Sequence, residues 1–199
     1  MATVSTRFGQ FDFSGFDWFQ KLDDDIVLAP GSRTPHPIEI PVKDARLIVR
    51  SIVRLVLDLP RDSTPEVVWT LGRNELLVHS DKTRIRCSSG VVVITATVEC
   101  DQHKPVRIPV PLGVGTRKAP SGLVMSTFAD LEGPADIVTP WHDSIVAFAW
   151  ETLLETARTV AAAVGKDSRG RALVPGAISA APGKLLVQPI ARHSLKAER

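Results

Sequence analysis

His79, Cys100 and His103 are the side chains of this chain whose types best suit a metal ion, since imidazole and thiolate are the usual zinc ligands. Cys100 and His103 stand in a C-x-x-H spacing, and a hairpin that kept its register would bring His79 opposite Cys100. Three ligands fall short of a structural zinc site, and Ser80 to Lys82 have turn composition that breaks such a register, so no metal is expected. His142, Asp143 and Ser144 have the types of a hydrolytic triad, but successive helical residues point about 100° apart, and the three cannot relay a proton from one helical turn. Glu151 and Glu155 share a helical face as a potential acid/base pair; Arg158, three residues beyond Glu155, marks that face as solvated. Gly113 and Gly115 lack the third glycine and the Gly-Lys-Ser/Thr of a phosphate loop. Asp23, Asp24 and Asp25 are contiguous rather than alternating, as a calcium loop requires. Arg46, Arg50 and Arg54, spaced by four, could clamp an anion from one helix face, although such a stripe more often simply faces water. No catalytic residue and no cofactor is assigned.

These groups need elements to hold them. Residues 44–58 alternate well enough for a strand, yet their four-residue polar stripe (Arg46, Arg50, Arg54, Asp58) and Asp44 as an N-cap favour a helix. From Glu66 onward short apolar runs separated by turn signals predict an antiparallel meander: Val67 to Leu71, Leu76 to His79, then Thr83 onward. A two-residue turn at Ser89 and Gly90 pairs Cys87 with Val92, Arg86 with Val93, Ile85 with Ile94 and Arg84 with Thr95. Ile85, Cys87, Val92, Ile94, Ala96 and Val98 then face the core, and Lys82, Arg84, Arg86, Thr95, Thr97 and Glu99 face water. Both cysteines, Cys87 and Cys100, are expected as free, buried thiols. Pro105, Pro109 and Pro111 confine Val106 to Val110 to a sheet edge, and Leu123 to Phe128 forms a further strand. Thr139 and Pro140 open the longest helix, whose apolar face runs from Ile145 to Val164 and which Gly165 stops. A Pro/Gly/Ala linker and a returning strand from Lys184 to Ile190 follow.

The sequence therefore divides into an aromatic, acidic N-terminal arm (1–40), a core (41–165) and a basic tail (166–199). The expected fold class is α+β: an antiparallel β-meander sheet packed against a long C-terminal helix, with an irregular arm and an extended tail. Of 199 residues 44% are hydrophobic and 23% charged, ordinary values for a globular chain. No run reaches the ~20 apolar residues of a membrane span, no signal peptide is evident, and two cysteines suit a reduced compartment, so the expected location is cytoplasmic. The arm carries three basic and six acidic residues, the tail seven and two. Because the basic excess sits in a Pro/Gly/Ala-rich tail and not across a domain, nucleic acid ranks low among partners.

Phe8, Phe11, Phe13, Phe16, Trp18 and Phe19 are six large rings in twelve residues without periodicity, more than a loop needs. Rigid aromatics of this kind supply binding energy at interfaces. The leading expectation is a non-enzymatic structural or assembly subunit, of the kind found in phage or virion particles, that self-associates through this arm. A sheet with a helix on its concave face also resembles helix-grip and tubular lipid-binding folds; the alternative is a carrier holding a lipid or other apolar ligand between sheet and helix.

Overall fold

The structure is a computed structural model that describes residues 3–6, 9–12, 37–60, 62–120, 130–166 and 170–191, the first two segments as backbone. It is α+β. Strands β1 (Thr3–Thr6) and β2 (Gly9–Asp12) form an antiparallel hairpin, so part of the arm expected to be irregular is regular. β3 (Ile38–Pro41) leads directly into helix α1 (Val42–Val56). Then come β4 (Glu66–Leu71), β5 (Asn74–His79), a 3-10 turn at Ser80–Lys82, β6 (Arg84–Ser88), β7 (Val91–Cys100) and β8 (His103–Gly113). The long helix α2 (Ala135–Ala163) precedes β9 (Leu173–Ala181) and β10 (Lys184–Ala191).

α1 settles the helix-or-strand choice for 44–58. Ala45, Ile48, Val49, Ile52 and Val53 are buried at i, i+3, i+4, i+7 and i+8, the stripe an amphipathic helix presents to a core. Burial of that stripe outweighs the β-branched propensity, which is worth only tenths of a kcal/mol per residue. The helix begins two residues earlier than Asp44, after Pro41. It ends where Asp58 takes φ +53°, with Asp58 N–H donating to Leu55 O and Leu59 N–H to Arg54 O, both orphan carbonyls being satisfied.

The larger sheet is a meander with one break. β6 and β7 pair in the expected register, Cys87 with Val92 through Arg84 with Thr95. β5 continues along the same edge of β7, pairing Val78 with Val98; between Arg84 and Val78 six residues are used against three on β7, so the 3-10 turn takes three residues out of register. β8 runs along the other edge of β7, and β4 pairs with β5. Ile85, Val92, Ile94, Ala96 and Val98 are fully buried as expected. Thr97, expected in water, is buried because its hydroxyl donates to Lys82 O on the 3-10 turn.

The segment expected to be a linker contains β9, which with β10 and β3 makes a second antiparallel sheet in the order β3-β10-β9. The two sheets meet at the β6–β7 turn: Gly90 N–H donates to Ala180 O, and Gly183 N–H to Cys87 O. Glu39 on β3 lies 2.7 Å from Lys184 Nζ and also pairs with Arg117; the Lys184 hydrogen bond and then the two cationic charges hold its carboxyl below the ordinary range against a partial desolvation.

α2 contacts α1 and strands of both sheets. Ile145, Ala149, Leu153, Ala157, Val160 and Ala161 form its buried face as expected, and Phe148, Trp150, Thr152, Glu155 and Thr156 are buried as well, so most of its circumference is covered. Its start is a correction: the helix opens at Ala135 and Pro140 lies inside it. Pro140 removes one amide donor, but the added turn buries Ile137 and Trp141, worth about 1.5–3 kcal/mol each, and carries Asp136 to within 2.8 Å of His103 Nε2. No helix among the described residues is long and apolar enough to cross a membrane.

Candidate functional site

Among the described residues, basic side chains converge on the outer side of the larger sheet, where α1 runs beside β6. α1 is placed there by the second sheet: β3 pairs with β10, Val42 N–H donates to Gly183 O, and the helix leaves from that fixed point. Its exposed row, Arg46 and Arg50, therefore overlooks the water-facing row of β6, Arg84 and Arg86, and Arg107 of β8. Two clefts result. One of about 560 Å³ is lined by Arg50, Arg54, Lys82, Arg84 and Arg107, with Asp81 as its one acidic residue. The other, about 580 Å³, is lined by Arg46, Arg50, Arg84, Arg86, Thr95 and Arg107. Arg50, Arg84 and Arg107 belong to both, so the clefts join into one trough.

All three arginines that the sequence offers as an anion clamp line the clefts, Arg46 and Arg50 the second and Arg50 and Arg54 the first. Arg46 and Arg50 form no ion pair among the described residues, whereas Arg54 also donates to Pro60 O and to Ser63 O and Oγ in the loop after α1. The trough gains Arg84, Arg86 and Arg107, whose strand alternation was legible but whose meeting with α1 was not. Among the described residues none of Arg46, Arg50, Arg84, Arg86 and Arg107 forms an ion pair.

The opposite end of the sheet is apolar and acidic. On β4 the side chains of Val68 and Leu71 are 52% and 48% exposed. Val68 stands across from half-buried Leu77, and Glu75, Glu99 and Asp101 lie around them. The inner side of β4 is anchored: Trp69 meets Phe148 edge-on at 5.7 Å and Trp141 at 6.3 Å. Among the described residues no strand pairs with the outer edge of β4.

The remaining groups have structural occupations. His79 is buried; its Nε2 lies 3.2 Å from Glu99 Oε2 and its Nδ1 3.1 Å from Glu66 Oε1 and 3.3 Å from Lys82 Nζ, tying β4, β5 and β7 together. Cys100 pairs across the strand with His103, not with His79, because of the three-residue shift. His142 Nδ1 contacts Asp143 at 2.9 Å on the exposed side of α2, and no bond to Ser144 is made. Glu155, expected on a solvated face, is buried and accepts from the Arg158 guanidinium. Gly115 serves the junction of the sheets, its N–H donating to Ile178 O and its carbonyl accepting from Ala180 N–H. Phe11 lies in β2, whose backbone alone is described; Phe8, Phe13, Phe16, Trp18, Phe19, Asp23, Asp24, Asp25 and the strand expected at 123–128 lie outside the described residues.

Both cysteines are free, and both are half-buried where full burial was expected. Burial pushes the Cys87 thiol from its ordinary 9.0 up to about 12. The folded state thus favours the protonated thiol: that contribution to stability is complete below pH 9.0 and is lost as pH rises toward about 12. Titrating the urea midpoint across this window should show wild type losing more stability than Cys87→Val. At pH 8 Cys87 should react with a disulfide reagent far more slowly in native protein than in urea. Comparison with protein families, with curated proteins and with solved structures finds no match to this chain.

Proposed function

We propose that the protein is a non-catalytic assembly subunit that self-associates. The observation that supports this best is the contrast between its sheet edges. The outer edge of β8 carries Pro105, Pro109 and Pro111, which withhold amide donors and block further pairing. β4 has neither proline nor lysine, and it adds exposed Val68 and Leu71 to an edge with which no strand pairs among the described residues. Soluble proteins rarely leave such an edge unguarded unless something covers it. Two copies related by a two-fold axis through Val68 would place the two valines side by side and Glu66 opposite Thr70, with no like charges facing. The six aromatic residues of the arm, Phe8 to Phe19, offer a second contact of the same kind. The clefts on the sheet open outward and are lined by charged side chains, which favours this reading over a carrier of apolar ligands.

Light scattering on the full-length chain tests it. Wild type should run as a discrete multiple of 21.6 kDa, and Val68→Lys with Leu71→Lys should fall to the monomer with unchanged circular dichroism, since both side chains are already exposed. Replacing Phe16, Trp18 and Phe19 by serine reports the arm's share. A wild type that stays monomeric at high concentration overturns the proposal.

A further inference from the structure

We infer that the arginine trough between α1 and the β6–β8 face binds the phosphodiester backbone of a nucleic-acid strand. This goes beyond self-association and stands on separate residues. Five arginines, Arg46, Arg50, Arg84, Arg86 and Arg107, face one another across the trough and form no ion pair among the described residues. Bringing like charges together without neutralising them costs free energy that an arriving polyanion returns. Guanidinium is also the cation that holds phosphate oxygens by two parallel hydrogen bonds.

The geometry favours a repeating anion over a single one. Arg46 and Arg50 are one turn apart on a helix, about 6 Å along its axis. Arg84 and Arg86 are two residues apart on a strand, about 6.6 Å. Both intervals are close to the separation of successive phosphates along an extended strand. The two clefts run into one another through Arg50, Arg84 and Arg107, so a chain can lie along both. Ser51 and Thr95 add neutral polar atoms, and Pro105 and Pro109 add flat apolar surface on which a base can rest. The lining offers no exposed aliphatic side chain to insert among lipid chains, since its one large aliphatic residue, Ile85, is fully buried.

The test is fluorescence anisotropy of a labelled, mixed-sequence 20-nucleotide single strand titrated with the full-length chain. With five contacts at about 0.7 released counterions each, affinity should fall roughly 100-fold between 50 and 200 mM salt. Arg50→Glu, Arg84→Glu and Arg107→Glu together should lower affinity at least tenfold and flatten the salt slope by about 2. All three side chains are exposed, and circular dichroism checks the fold. Should the triple variant misfold, the single variants Arg50→Ala and Arg84→Ala should each reduce the slope by about 0.7. A second full-length variant, Arg192→Ala with Lys196→Ala and Arg199→Ala, removes the basic end of the tail and should bind as wild type does. Three results overturn the inference: no binding at 50 mM salt, loss of binding in the tail variant with retention in the trough variant, or trough-dependent binding to phosphatidylserine vesicles or to polyglutamate but not to the oligonucleotide.

Discussion

Leu153→Ala should be strongly destabilising, lowering stability by about 3 kcal/mol. Leu153 sits in the middle of α2 with none of its surface exposed, on the helix that meets α1 and both sheets. The removed atoms lose their burial, and the cavity left behind is hard to close because its walls belong to separate elements that pin one another. A domain of this size typically has about 5–15 kcal/mol to lose, so the variant should remain folded at room temperature. For a chain of this length the melting temperature should drop by roughly 6–12 °C. Thermal unfolding followed by circular dichroism measures it directly. A drop below about 2 °C would mean that α2 is not the centre of the core.

Trp69→Ala should cost nearly as much, about 2–3 kcal/mol, and with a more local consequence. The indole is half-buried, and it is the side chain that fastens β4 to α2 through Phe148 and Trp141, both almost fully buried. The edge-on arrangement with Phe148 adds about 0.5–1.5 kcal/mol beyond area alone. Loss of this anchor frees the edge strand before the rest of the sheet, because among the described residues β4 is held otherwise mainly by its pairing with β5, by the His79–Glu66 contact and by the 3-10 turn. Amide exchange should therefore accelerate selectively over 66–71. Trp69→Phe keeps a ring against Phe148 and should restore most of the protection. In the self-association experiment Trp69→Ala should weaken the oligomer without adding charge to the edge, and Val68→Lys should weaken it without loosening the strand.

The clearest sequence readings are those in which the determining interactions are close along the chain. The hairpin at Ser89 and Gly90 has its register set by a two-residue turn in which Gly90 takes φ +74°, and alternation fixed which of its side chains face the core. α1 was legible because five buried positions and three arginines repeat at helical spacing. The stop of α2 at Gly165, φ +93°, is equally local.

Other features arise from contacts between distant segments. Thr97 has the type and alternation of a surface residue, but the turn at Lys82 folds over its hydroxyl. Glu155 follows the helical pattern of a solvated residue and is nonetheless covered, because α2 is enclosed on more sides than one sheet could account for. That enclosure depends on β9, which Pro175 and Gly176 disguise as linker until β10 pairs with it. Pro140 lies inside α2 because burial of Ile137 and Trp141 outweighs one missing hydrogen bond. The trough arises in the same way. By sequence its arginines sit at 46–50, 84–86 and 107, on segments whose charges sum to nothing unusual, and the visible basic excess lies in the tail. Composition and periodicity determined the α+β class, the hairpin register and the polar stripe of α1. Only the tertiary structure, by pairing β3 with β10 and so setting α1 beside β6, decided that those stripes face one another, since such a contact depends on residues far apart along the chain.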